Sequence, residues 1–204
     1  MLDVTDRLAV IVGGGAVAVR KARGLLEAGA RRVRCVSPDF APDMPESVER
    51  VREAYEPRHL EGAVLAFAAT DLPAVNDAVV RDARARGVLV SRADADDDHP
   101  GDFTTPAKLR QGPVVVSVST GGSPALSVLI RNGLLERWDP RWTRMADMML
   151  GLRRQLMEHL DEPEGRRAAF RDLATDEALN VLDAGGVAAV VKWLIERHYN
   201  PPHG

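Results

Sequence analysis

The sequence predicts an α/β protein: a parallel sheet flanked by helices, followed by an all-helical tail. Three observations predict it. An apolar run, Arg7-Leu-Ala-Val-Ile-Val12, passes through Gly13-Gly14-Gly15 straight into a helical pattern at residues 16–26. Short apolar runs then alternate with helical patterns to about residue 112, the order of a parallel sheet with right-handed crossovers. From about residue 145, apolar residues recur at three- and four-residue steps, the period of helices.

The elements follow in order. After the first strand and helix, Gly29 punctuates the helix end and Arg32-Val-Arg-Cys-Val36 reads as a second strand. Residues 49–55 hold a short third strand, and Val64-Leu-Ala-Phe-Ala-Ala69 is a buried apolar one. Asp71 is placed to cap a helix that starts near Pro73 and runs to about Arg86, where Gly87 stops it. Val88-Leu-Val90 is the next strand. Gly112-Pro113 marks a break, residues 114–119 form a further strand, and Thr120-Gly121-Gly122 a turn. Ser123-Pro124 is a helix start, with its cap at Ser123 and proline at the first helical position. That helix runs to about Arg137. In the tail, Trp142, Met145, Met149, Leu152, Leu156 and Leu160 line one helix face. Helices over 166–173, 176–182 and 187–197 follow, the last pair separated by Gly185-Gly186. The expected units are 1–112, 113–144 and 145–204.

Composition sets bounds on function. The 204 residues carry a net charge of −3, with 45% hydrophobic and 28% charged residues, an ordinary globular balance. Both signs are interspersed, so neither a nucleic-acid footprint nor a polybasic membrane patch is expected. No run of apolar residues approaches bilayer length, and no signal-peptide pattern precedes the first strand, so the expected location is cytoplasmic. Cys35 stands alone inside a strand and is expected to pack as a small hydrophobe. With no C-x-x-C and no H-E-x-x-H, no metal-ligand pattern is visible.

The glycine turn carries the first chemistry. Gly13-x-Gly15-x-x-Ala18 is the G-x-G-x-x-A spacing in its required context, between a strand and a helix. Gly13 allows the turn, Gly15 admits a pyrophosphate, and Ala18 lets helix and strand approach. Backbone N–H groups and the helix dipole then favour a dinucleotide. The sheet domain is therefore Rossmann-like, and NAD or NADP is the expected cofactor. The acid that often holds the ribose at the end of the second strand is replaced by Ser37-Pro38, with Asp39 displaced. Arg31, Arg32 and Arg34 stand near enough in sequence to meet a 2′-phosphate, so NADP stays open.

Ligands of such sheets bind beyond the carboxyl ends of the strands. Those ends are Gly13 to Gly15, Ser37-Pro38, Ala69-Thr70-Asp71, Ser91 to Asp94, and Thr120-Gly121-Gly122. Thr70 is thus a candidate cofactor contact, and Thr120, Gly121 and Gly122 candidate substrate contacts. Asp94, just past a strand, is a candidate general base. Asp96, Asp97 and Asp98 read as a solvated loop, and His99 as a surface histidine.

The ordered set of Gly13-Gly-Gly-Ala-Val-Ala-Val-Arg-Lys21, Gly29-Ala30, Ser37-Pro38, Ala68-Ala-Thr-Asp71, Val75-Asn76, Ala93-Asp94, Asp102-Phe103, Pro106-Ala107 and Ser119-Thr-Gly-Gly-Ser-Pro-Ala125 with Arg131 resembles the precorrin-2 dehydrogenase/ferrochelatase family of siroheme synthesis, over residues 1 to about 137. The resemblance implies a homodimer with a Rossmann domain, a central dimerisation segment at 113–144 and a helical C-terminal domain. It implies oxidation of precorrin-2, a tetrapyrrole, to sirohydrochlorin with NAD⁺, and in some members insertion of Fe²⁺ to give siroheme. It places cofactor contacts on Ala16-Val17 and Ser37-Pro38, and a role in both steps on Asp94. The methyltransferase domain fused in some relatives has no counterpart in residues 1–204, so precorrin-2 is expected from a partner enzyme. Because the substrate is rich in carboxylates, Arg20, Lys21, Arg92, Lys108, Arg110 and Arg131 are candidate cations around it. The chain departs from the family pattern in three places. Ser91-Arg92 stands where Asn-Val is usual, the 120–124 turn is one residue short, and the acidic run 94–98 is dense. Two other readings remain open: a dehydrogenase without chelatase activity, and a non-catalytic NAD(P)-sensing module.

Overall fold

A computed structural model describes residues 2–94, 101–159 and 163–198, with only the backbone described over 154–159. The expectations for Asp96, Asp97, Asp98, His99 and Leu160, and for the Leu156 side chain, lie outside the described residues. The chain divides into two compact units, 1–105 and 106–204.

The first unit is built on a five-stranded sheet in the order β3-β2-β1-β4-β5, every neighbour parallel. Its strands are β1 (Leu8–Val12), β2 (Arg32–Val36), β3 (Glu49–Val51), β4 (Ala63–Ala68) and β5 (Leu89–Arg92). Every residue of β1 is buried, as a central strand covered on both faces requires. Ala9 and Ile11 point into one core with the helix α1 (Ala16–Glu27). Leu8, Val10 and Val12 point into the other, with the helix α2 (Pro73–Ala85). The short 3₁₀ helix Pro57–Leu60 precedes β4 and buries Leu60 in that second core. Cys35 is buried and paired with no other cysteine; burial pushes its thiol pKa up to about 12.

The start of α2 corrects one expectation. Asp71 is exposed and does not cap it. Leu72 occupies the cap position, without a side-chain hydrogen bond, and Pro73 follows. The preceding turn is tied down instead by Asn76, which is fully buried. Asn76 Oδ1 accepts from the Thr70 backbone N–H at 3.2 Å and the Thr70 hydroxyl at 2.8 Å, and its Nδ2 donates to the Thr70 carbonyl at 3.1 Å.

The second unit begins with a hairpin. Strand β6 (Ala107–Gln111) pairs antiparallel with β7 (Val114–Val118). Gly112 sits at φ +57 as the first central residue of the turn. Proline follows, and its fixed negative φ leaves the II′ type. The break expected at Gly112-Pro113 is therefore a turn that joins residues on both sides of it. Strand β7 belongs to this two-stranded sheet and not to the parallel one. Thr120 to Gly122 accordingly follow a strand outside the parallel sheet, which corrects the expectation that they share its carboxyl edge.

Helix α3 (Pro124–Glu136) starts as expected, with Ser123 accepting from the Leu126 N–H at 3.4 Å, and packs on the hairpin. The helices α4 (Pro140–His159), α5 (Pro163–Leu173) and α6 (Asp176–His198) close on a core of Met145, Met148, Ala169, Leu173, Leu179, Leu182, Val190 and Leu194. Met149 and Leu152 pack against it, as the helical stripe predicts, whereas Trp142 is exposed. Gly186 has φ 66 and ψ −165, so α6 is two helical pieces meeting at a kink, the break expected at Gly185-Gly186. By length and mean hydropathy of 1.5, α6 meets the test for a membrane-crossing helix. The kink and the burial of Ala178, Leu179, Leu182, Val190 and Leu194 make it a packed helix of this unit.

Candidate functional site

The parallel sheet brings four of the expected strand ends together. Hydrogen bonding continues past the strands: Gly13 N–H donates to the Val36 carbonyl at 2.9 Å, Ala69 N–H to Val12 at 2.8 Å, and Ala93 N–H to Ala68 at 2.9 Å. This series fixes Gly13, Ser37, Thr70 and Asp94 along one carboxyl edge. The strand order reverses direction at β1, with β2 on one side and β4 on the other, and ligands of open α/β sheets bind in the crevice at that point.

The glycine loop meets this edge by steric necessity. Gly13 has φ +132, and a Cβ there would collide with the Ala69 carbonyl. A Cβ on Gly14 would collide with the Asp39 carbonyl and crowd the Ser37 hydroxyl. The Gly14 carbonyl accepts from the Ala41 N–H at 2.8 Å, so the 37–41 loop closes over the turn. Gly15 differs: a Cβ there meets nothing within 4 Å, and Gly15 and Ala16 are exposed. Gly15 caps α1 without any side-chain hydrogen bond, and the first turn carries no acid. The result is an open helix N-terminus with orphan N–H donors and a positive dipole end. These residues fit a dinucleotide pyrophosphate.

The acidic end of the edge is organised by Arg92, expected as a substrate cation, and by Asp77 and Asn76, to which the sequence reading gave no role. Asp94 is half-buried, and both its oxygens are held by the Arg92 guanidinium, Nε to Oδ1 at 2.7 Å and Nη2 to Oδ2 at 3.0 Å. Arg92 Nη1 donates to Asp77 Oδ1 at 2.5 Å. The Arg92 fork holds the Asp94 carboxyl below the usual carboxylate range; partial burial opposes it, and a hydrogen bond from Asn76 assists. That direction weakens Asp94 as a proton acceptor, contrary to what a general base needs. Asn76 thus ties down Thr70 at the end of β4 and is one of the groups that lower the Asp94 pKa. Its signal was present in the sequence: an asparagine sharing the buried α2 face of Val79, Val80 and Ala83.

The candidate cations sort differently. Arg92 has a side chain only 2% exposed, so it does not face a substrate directly. Lys21 Nζ donates to Thr105 Oγ1 at 2.5 Å and lies 5.6 Å from the Phe67 ring centre; burial, then Arg20, lowers its pKa. Arg31 pairs with Asp6 at 3.3 Å and Arg34 with Glu49 at 3.0 Å, so two of the three arginines considered for a 2′-phosphate already hold carboxylates. In the second unit, Arg131 donates to Asn132 Oδ1, and Thr120 Oγ1 to the Ser123 carbonyl at 2.6 Å. Gly121 (φ 61) and Gly122 (φ 132) shape that turn. Lys108 and Arg110 are exposed on β6.

A family described as "Putative NAD(P)-binding" matches residues 1–107. The chain belongs to this NAD(P)-binding family. Its relatives carry the rest of the resemblance. A siroheme synthase of Nitrosomonas eutropha is 34% identical over 214 residues, covering 100% of this chain and 44% of that protein. Siroheme synthases of Chromobacterium violaceum and Pseudomonas aeruginosa are each 37% identical, covering 92% and 96% of this chain and 41% and 43% of theirs. The chain therefore spans under half the length of the curated relatives it matches. Among solved structures, SirC, a precorrin-2 dehydrogenase, superposes with a TM-score of 0.78 over 96% of this chain and 98% of that one, at 23% identity. The fold is shared along nearly the whole length of both chains. The motif order read from the sequence and these NAD(P)-binding, siroheme-type relatives agree.

Proposed function

We propose that this chain oxidises precorrin-2 to sirohydrochlorin with NAD⁺ as part of siroheme synthesis. The observation that carries the reading is Asp94, a carboxylate fixed at the end of β5 on the same sheet edge as the open glycine loop. The reaction removes a hydride and a proton from the reduced macrocycle. NAD⁺, held over Gly13, Gly14, Gly15, Ala16 and Val17 with Ser37, Pro38 and Thr70 at its flank, supplies the hydride acceptor. The chain's own residues orient and exclude. Gly13 and Gly14 keep the backbone close, the first turn of α1 takes the phosphates, and Asp94 meets the reacting centre. NAD⁺ is favoured over NADP⁺ because Arg31 and Arg34 are already paired.

The 113–144 segment, with β6 before it, serves dimerisation. Leu126, Val128, Leu129, Ile130, Leu134 and Leu135 of α3 are exposed, and a two-stranded sheet is marginal alone. A second copy of the chain covers this face, and Thr120, Gly121, Gly122 and Arg131 of the same segment contact substrate. Iron insertion into the product, on the same Asp94, is the further step the resemblance implies. Residues 145–204 form the helical C-terminal domain of this cytoplasmic enzyme.

An anaerobic assay with enzymatically made precorrin-2 tests the reading. Coupled appearance of sirohydrochlorin and reduced nicotinamide is expected with NAD⁺, with slower turnover on NADP⁺. Cofactor binding without turnover favours the sensing module. Adding Fe²⁺ afterwards tests chelation.

A further inference from the structure

Arg92 is the last residue of β5, its side chain 2% exposed, and it lies between two carboxylates from different elements. Asp94 takes two of its nitrogens as a fork, and Asp77 of α2 takes the third. Arginine stays protonated in proteins, and a buried guanidinium is tolerated only with counter-charge in place. Asp77 and Asp94 are 41% and 30% exposed, so each carboxylate has one side toward the surface while its charge is anchored from within. The bidentate geometry fixes the plane of the Asp94 carboxyl as well as its charge.

We infer that Arg92 is a positioning residue that holds Asp94 as an oriented carboxylate against a buried cation, and that Asp94 acts by stabilising positive charge on the substrate as hydride leaves. This rests on the precorrin-2 dehydrogenase reading. In the step itself a substrate C–H bond breaks and its electron pair leaves with the hydrogen to the nicotinamide. The macrocycle is left cationic until a proton departs to water. A fixed negative charge near that cation lowers the barrier without accepting the proton, and more strongly in a site shielded from water. Among the described residues, the groups facing Asp94 are Arg92 from β5 and Asn76 from α2, with Asp77 acting through Arg92.

The test combines carboxyl ¹³C NMR titration of Asp94 with pH profiles of kcat, in the parent and in Arg92→Val, Arg92→Lys, Asp77→Asn and Asp94→Asn. The parent is expected to keep kcat flat from about pH 8 down to about pH 5, because the carboxylate stays ionised there. Arg92→Val should raise the Asp94 midpoint by about one pH unit or more, move the acid limb of kcat up with it, and lower kcat roughly tenfold with little change in KM. Arg92→Lys should restore part of the charge but not the fork, giving an intermediate profile. Asp77→Asn keeps Arg92 and removes one competing carboxylate, so the Asp94 midpoint should fall; it tests the contact even where Arg92→Val fails to fold. An unmoved Asp94 midpoint and acid limb in Arg92→Val and Asp77→Asn overturns the inference. A parent acid limb near neutral pH that vanishes in Asp94→Asn also overturns it, because that is a general base. Asp94→Asn with full turnover, alongside a shifted midpoint in Arg92→Val, instead overturns the catalytic reading of Asp94 and leaves the positioning contact standing.

Discussion

The two units differ in how complete they are. In residues 1–105 both faces of the sheet are covered by the chain's own helices, and β1 is buried end to end. In residues 106–204 a two-stranded hairpin carries a helix whose large apolar residues remain exposed, and only Ser127 of α3 is buried. Burial of apolar area drives folding, so an uncovered face of this size is the feature that the proposed dimer would bury. The first unit covers its own apolar faces; the second leaves α3 largely uncovered within the chain.

The largest effects should come from breaking the closed unit. Gly14→Val puts a branched side chain into the Asp39 carbonyl, and Gly13→Ala places a Cβ against the Ala69 carbonyl at a φ alanine rarely adopts. Each should cost more than about 3 kcal/mol or prevent folding, read from urea midpoints. Gly15→Asp is the sharpening control. Its Cβ enters open space, so stability should hold while cofactor affinity falls at least tenfold from charge repulsion, measured by calorimetry. Equal loss of stability in Gly15→Asp would mean the loop is only a tight turn.

The open unit responds differently. Leu129→Asp alters the most exposed apolar residue of α3, at 66%, and should change monomer stability by less than about 0.5 kcal/mol. It should nevertheless convert a dimer to a monomer by light scattering. A parent chain that is already monomeric at micromolar concentration refutes the dimer face.

How much of this was legible follows the same division. The strand–glycine–helix order of residues 7–26 fixes a crossover locally, so the Rossmann-like sheet could be read from pattern alone. The hairpin could not, because β6 reads Ala-Lys-Leu-Arg-Gln and buries only Leu109, too weak an alternation to compete with the Gly112-Pro113 break signal. Asp94 was legible from its place after β5. The Arg92 fork was not, because Arg92, Asp94 and Asp77 meet only after β5 and α2 pack. Asp71 looked like a helix cap by residue type; the turn is held by Asn76, a contact across residues that no local rule ranks above it.

Two smaller effects probe the closed unit under changed conditions. The Asp94 pKa is lowered in the folded protein, so the stability linked to its ionisation is present above the unfolded carboxylate value of about 4 and is lost as pH falls through the lower folded value. Asp94→Asn should therefore flatten part of the acid limb of Tm against pH, below about pH 4. Cys35, fully buried with its thiol pKa pushed up to about 12, should react with a thiol reagent only on unfolding. Fast reaction in native buffer would show that the first core opens.

A catalytic carboxylate at the β5 edge, as proposed for precorrin-2 oxidation, must control turnover without controlling cofactor binding. The direct measurement is anaerobic turnover of precorrin-2 with NAD⁺ by the parent chain and by Asp94→Asn, following sirohydrochlorin and reduced nicotinamide together. Coupled growth of both signals is expected in the parent, with a loss of at least about a hundredfold in Asp94→Asn and cofactor affinity retained. Absence of coupled growth in the parent, or undiminished turnover in Asp94→Asn, contradicts that proposal.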